Sequence, residues 1–281
     1  MKKTIKYLAI LSFAILVGAC QKESFTPTTV DLGGDTWAKG PIDTWIYDTY
    51  TKPYNIEVKY KWDRSEFPLN KDIVPVAEDK VIPVMEAVKK TWIEPYIAIK
   101  GEDFIKRYSH KQFVLAGSAE YNSNGTITLG TAEGGRKIVL MVLNDFNKNN
   151  KAEVRRMLKT IHHEFGHILQ QNIAIQPDYQ KITPDGYTAV WFNYTDASAR
   201  AMGFITSYAR AAPNEDFVEM LAVMLTEGKD GFDAIVNNAG EAGKPLLLKK
   251  KAMVEAYMKN NFGINVSQLQ TLTSEAINNL Q

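Results

Sequence analysis

Residues 159–171, KTIHHEFGHILQQ, decide how this chain is read, because they hold three of its four histidines within six positions. Residues 151–172 are predicted to form one helix. At about 100° per residue, His163 and His167 then lie about 40° apart, one turn from each other. Val154, Met157, Leu158, Ile161, Phe165, Ile168 and Leu169 fall in an arc of about 120° on the opposite side. Such a helix seats itself in a core while both imidazoles reach a single ion. Glu164 points about 100° away from His163, outside the ligand position but within reach of a water on the same ion. This is the H-E-x-x-H arrangement of two zinc-binding imidazoles and a general base. Zn²⁺ suits two neutral imidazoles plus a carboxylate, with a fourth position left for water.

The third ligand must come from elsewhere in the chain. An extended H-E-x-x-H-x-x-G-x-x-H motif is excluded, because Gln170 stands at its glycine position and Ile173 at its last histidine. Downstream, residues 207–225 read SYARAAPNEDFVEMLAVML, in which Pro213 and Asn214 mark a helix start. On that helix Glu215 and Glu219 lie about 40° apart, with Phe217, Met220, Leu221 and Met224 opposite. Glu215 is assigned as the ligand and Glu219 as the acceptor for a ligand histidine N–H, with the reverse assignment as the alternative. Asp178 and Asp196 are weaker substitutes, since each sits in a loop-like stretch without an apolar counter-face.

The amino terminus speaks to the compartment. Residues 1–19 give a lysine-rich head and an apolar run too short to span a bilayer, which reads as an export signal. It ends at Val17-Gly18-Ala19-Cys20, and Cys20 is the single cysteine of the 281 residues, so disulfide formation is not its purpose. Small residues before a lone cysteine resemble the lipobox of bacterial lipoproteins, which implies lipidation of Cys20 and a mature protein anchored to the membrane. Residues 20–40 are expected to be a flexible tether, and 41–281 a single catalytic domain. Lys22-Glu23 resembles signals that send some lipoproteins to the outer surface. Lys2, Lys3 and Lys6 fall in the export segment, so 33 basic residues become 30 against 32 acidic ones. That balance carries no nucleic-acid footprint.

Elsewhere the pattern predicts helices over 41–50 and 83–93, and strands over 55–62, 113–115, 126–129 and 137–143, the last two separated by a Gly134-Gly135 turn. The strand over 137–143, just before the motif helix, is a candidate edge for pairing with an extended peptide. Residues 144–150 alternate Asp145, Asn147 and Asn149 like a calcium loop, but Asn150 replaces the turn glycine and Arg156 the bidentate acid, so a solvated loop is expected. His162 is read as a rim residue, His110 as part of a solvated loop, and Trp45, Trp62 and Trp92 as core. Lys249–Lys251 are expected to solvate the start of the last long helix.

HEFGH, followed about 40 residues later by ITSYAR and NEDFVE, resembles the catalytic block of glutamate-ligand zinc peptidases of the anthrax lethal factor type. In those, a tyrosine precedes the ligand glutamate by seven residues, as Tyr208 precedes Glu215 here. With the lipobox, IDTWIYDTYTKPYNIEVKYKW, EDKVIPVMEAVKKTWI and YMKNNFGINVSQLQ resemble bacterial lipoproteins called putative zinc-binding metallopeptidases, often encoded beside glycan-uptake systems. The resemblance implies an α+β, zincin-like fold, with a mixed sheet on the H-E-x-x-H helix and a largely helical C-terminal part. It also implies a lipid-anchored outer-membrane enzyme that takes a peptide or protein substrate and has glycan-uptake components as neighbours. His163, His167 and Glu215 would hold Zn²⁺, Glu164 would act as base and Tyr208 as oxyanion donor. The competing class is a non-catalytic binding lipoprotein of a glycan-uptake system, in which the metal site is structural or vestigial.

Overall fold

The structure, a computed structural model, describes residues 37–122, 127–128, 130–133 and 136–280. The export segment, Cys20 and most of the tether lie outside the described residues, as do Thr126, Leu129 and the Gly134-Gly135 turn. From Gly40 onward the chain forms one compact unit.

The first helix, α1 (Pro41–Ile46), continues through a wide π-type turn at Tyr47–Thr51. Helix α2 (Glu78–Val88) likewise runs through a π-type turn at Lys89–Ile93 into α3 (Glu94–Lys100). In both cases a proline follows two residues after the turn, Pro53 and Pro95. A proline has no N–H to give and its ring crowds the carbonyl one turn back, and widening the helix relieves both. Helix α4 (Glu102–Tyr108) then leads into the sheet.

Strands β1 (Glu57–Lys59), β2 (Gln112–Leu115) and β6 (Lys137–Leu140) run parallel, and β5 (Gly130–Glu133) closes the order β1-β2-β6-β5 antiparallel to β6. A separate pair, β3 (Glu120–Tyr121) and β4 (Ile127–Thr128), forms a small antiparallel ribbon. Side chains alternate across the sheet. Phe113, Leu115, Ile138 and Leu140 enter the main core, while Val114, Ala116, Val139 and Met141 pack with Phe67 and Ile73 on the other face. Burial on both faces explains why residues 138–141 read as an unbroken apolar run.

This topology corrects one expectation. β6 lies inside the sheet with both edges paired, so it cannot accept an added peptide strand; the edge beside it belongs to β5. The strand also stops at Leu140, and Val142 sits in the left-handed region at φ 64°.

The motif helix, α5 (Lys151–Asn172), packs against β5 and β6. Asn150 caps it, its side chain accepting from the Ala152 and Glu153 amides, which gives the loop at 144–150 a structural role. After the short α6 (Asp196–Ala201), the C-terminal part is helical. α7 (Pro213–Asn237) breaks helical geometry at Gly228, where φ is 69°, and α8 (Gly240–Phe262) and α9 (Val266–Asn278) pack on it. At the far end of α5 the Tyr257 hydroxyl of α8 is shared between the carbonyls of Leu169 (3.1 Å) and Ile173 (2.5 Å).

Four further residues differ from expectation. His110 is fully buried, stacked on Trp92 at 5.0 Å and edge-on to Phe113. His162 is buried against Tyr96, not on a rim. Burial pushes both imidazoles down to about 3, so they are neutral packing groups. Trp62 is 42% exposed and stacks on Phe67, whereas Trp92 is core. Lys250 lies midway along α8 and is completely buried, 2.6 Å from the equally buried Asp216 and 3.8 Å from the Phe204 ring. One turn of α8 therefore points into the core, and the lysine triplet does not solvate a helix start. Removing one partner of such a pair strands the other charge in a low dielectric. Lys250→Met is expected to cost about 3–5 kcal/mol in urea unfolding, with part of the loss recovered by adding Asp216→Asn.

Candidate metal centre

Two helices build the site. α5 presents His163 and His167 one turn apart, and the first two turns of α7 present Glu215 and Glu219. Pro213 at the start of α7 supplies a pre-set φ where no intrahelical N–H bond is required. Glu215 and Asp216 in the first turn suit the positive end of the helix dipole. The helices meet at Gly166, where a Cβ would lie 2.8 Å from Val218 Cγ1 and 3.1 Å from Val218 Cβ. Only glycine allows this approach, because the β-branched valine has little freedom to yield.

The structure brings together the three residues assigned as ligands. His163 Nε2 and His167 Nε2 are 3.2 Å apart, and Glu215 Oε2 is 3.0 Å from the first and 3.3 Å from the second. Among the described residues, His163, His167 and Glu215 form a cluster able to hold a metal ion. Zinc bonds of about 2.0–2.1 Å in a tetrahedron set donor atoms about 3.3 Å apart, so this triangle has the dimensions of a zinc face. The donor chemistry fits as well: two imidazole nitrogens and one carboxylate oxygen converge on a common point.

The surrounding partners orient the donors. Glu219, almost fully buried, lies with Oε1 2.9 Å from His163 Nδ1, which directs Nε2 toward Glu215. The other Glu219 oxygen accepts from the Thr206 hydroxyl at 2.5 Å and pairs with Lys159 at 2.8 Å. Gln170 Oε1 is 3.4 Å from His167 Nδ1, and its Nε2 donates to the Asn214 carbonyl at 3.3 Å, so it also ties α5 to the start of α7. Sequence reasoning overlooked Lys159, Gln170 and Thr206. Lys159 and Gln170 carry a helical signal, four residues before His163 and three after His167. Thr206 carries none, because it is placed by an irregular segment.

Glu164 is half-buried and feels both histidines and both glutamates. Burial raises its carboxyl above the usual range, and the histidine charges oppose that rise. The Tyr208 ring is 5.7 Å from that of His163, and its hydroxyl feels the Glu215 carboxylate. Burial, and then the Glu215 charge, raise the phenol well above its ordinary value, so it stays protonated and able to donate. Burial opposes charge on His163, but Glu215 and Glu219 outweigh it and raise the imidazole to about 9. Burial works against the Glu215 charge too, yet the two histidines hold its carboxyl well below the normal range.

The weaker substitutes stand apart. Asp178 is an exposed partner of Lys181, and Asp196 accepts from the Ser207 amide at 2.8 Å. Buried Asp216, next to Glu215 in sequence, has other partners, accepting from Tyr187 at 3.0 Å and pairing with Lys250. Burial raises its carboxyl to about 6 against the pull of that lysine.

A mixed sheet carrying an active-site helix, with two histidines and a carboxylate from a second helix converging beside a half-buried glutamate, is the framework of a metallopeptidase. The chain belongs to the family described as "putative zinc-binding metallo-peptidase", whose profile matches residues 35–267. It is also similar to the crystal structure of a putative zinc-binding metallo-peptidase from Bacteroides caccae, with a TM-score of 0.74 and 35% identity over 85% of this chain and 92% of that one. No curated protein sequence matches it.

Two outcomes follow from this geometry. Glu219→Ala is expected to weaken zinc binding by about 10–100-fold in chelator competition, because His163 loses its orienting acceptor. A zinc ligand must be deprotonated, and His163 of the metal-free protein holds its proton up to about pH 9. Apparent zinc affinity should therefore increase with pH, by up to about tenfold per unit, and level off above that point.

Proposed function

We propose that the chain is a zinc-dependent peptidase of the bacterial cell envelope, held to the outer membrane through lipid on Cys20, that hydrolyses peptide bonds with Glu164 as general base. The observation that carries this reading is the triangle of donor atoms on His163, His167 and Glu215 with Glu164 beside it, outside the triangle but within its electrostatic reach. A purely structural site would have no use for that glutamate. His163, His167 and Glu215 would hold the ion, and Zn²⁺ when bound would supply Lewis acidity to the attacking water and the scissile carbonyl.

The chain's own groups perform the remaining work. Burial makes Glu164 a stronger base than a solvated carboxylate, and it takes the proton of the attacking water and passes it to the leaving amine. The protonated Tyr208 hydroxyl donates to the oxyanion that develops on the substrate carbonyl. Glu219, fixed by Thr206 and Lys159, keeps His163 in one tautomer and orientation throughout.

The test compares wild type with two variants on a casein or peptide-library substrate, with metal content measured alongside. Glu164→Gln is expected to lose nearly all turnover while keeping its zinc. Tyr208→Phe is expected to lose on the order of 10²-fold in kcat. Equal cleavage by wild type and Glu164→Gln would end the peptidase reading.

A further inference from the structure

Residues 186–194, between α5 and α6, join the site from the outside. Within five consecutive positions this loop exposes Val190 (45%), Phe192 (39%) and Tyr194 (40%) beside the half-buried Trp191. Large apolar side chains seldom gather on a surface without a use, and here they gather next to a reaction centre. Trp191 packs edge-on against Tyr208 with ring centroids 4.8 Å apart, and Tyr208 lies one ring from His163. The aromatic surface is therefore continuous with the oxyanion donor.

The loop is also held in place. The Thr188 amide donates to the Arg210 carbonyl at 2.8 Å, and buried Arg210 sends its Nε to the Gly186 carbonyl at 2.8 Å. The Arg210 guanidinium then lies 3.8 Å from the centre of the Tyr194 ring. Gly186 lets the chain press against Phe204, where a Cβ would lie 2.3 Å from the ring. Arg210 and Tyr208 share one short turn (Tyr208–Arg210), so the element that places the oxyanion donor also places the aromatic loop. A rigid apolar surface binds without a large ordering cost.

We propose that Trp191, Phe192 and Tyr194 form a shelf that takes a bulky apolar side chain of the peptide substrate beside the scissile bond, and so set a preference for residues of the Phe, Leu or Met class. The proposal rests on the peptidase reading and names the substrate feature that reading leaves open. The shelf adjoins the proton-donating and ligand-bearing groups and offers exposed aromatic faces, which suits an apolar side chain.

The test measures binding apart from turnover. Zinc-loaded Glu164→Gln protein is titrated with fluorescent peptides that differ only by Phe against Ala at one position at a time. At one position Phe is expected to bind about tenfold or more tightly than Ala, within the range an apolar pocket supplies. Adding Phe192→Ser, at an exposed site, or Trp191→Ala should remove that advantage. No discrimination at any position, or discrimination that survives both substitutions, would overturn the proposal. So would an oligosaccharide that binds in place of peptides and is lost in the same variants, which would make the shelf a glycan platform. Discriminating binding with no cleavage by wild type would support the shelf and count only against the peptidase reading.

Discussion

The site depends on how closely two helices approach at Gly166. The histidines belong to α5 and the carboxylates to α7, so no local feature of either helix sets the spacing between donor atoms. That spacing is set where Val218 rests on the bare backbone of Gly166. A single methyl group there would have to move a β-branched side chain or separate the helices by tenths of an ångström. Zinc bonds tolerate little more than that. The glycine thus carries a packing role for its neighbour helix, and its low helix propensity is accepted in exchange.

The opening turns of α7 carry three acids, each with its own set of partners, and His163 is shared by two of them. Glu215 turns toward the imidazoles, Asp216 toward Lys250 and Tyr187, and Glu219 toward His163, Thr206 and Lys159. Three carboxylates crowded at one helix end would repel strongly if left bare. The helix dipole offsets part of that repulsion, and the rest is met by nearby cations and hydrogen-bond donors. The buried Asp216–Lys250 pair ties α7 to α8, so the helix that carries Glu215 is held by α8 as well as by its contact with α5. Arg210, just ahead of α7, extends the same order outward to the aromatic loop.

The helix over residues 151–172 was readable because one periodicity served two demands, an apolar arc for the core and a polar face for the site. The same held for Glu215 and Glu219, which share a face opposite Phe217 and Met220. Periodicity misjudged His110, His162 and Lys250. A polar residue flanked by polar neighbours reads as solvated, yet Trp92 and Phe113 enclose His110, and Asp216 provides a buried counter-charge for Lys250. Such partners come from distant parts of the chain and leave no trace in the local pattern.

The residue types, the helical spacing of the imidazoles and the placing of two acids on one later helix face were properties of the sequence alone, since each follows from 3.6 residues per turn and the need to bury one side. Only the tertiary structure decided that Glu215 meets both imidazoles while Glu219 stands behind one of them. It also decided that β6 is an inner strand and that an aromatic loop borders Tyr208. These outcomes depend on distances between segments remote in sequence, and packing fixes those distances through contacts such as that of Val218 on Gly166.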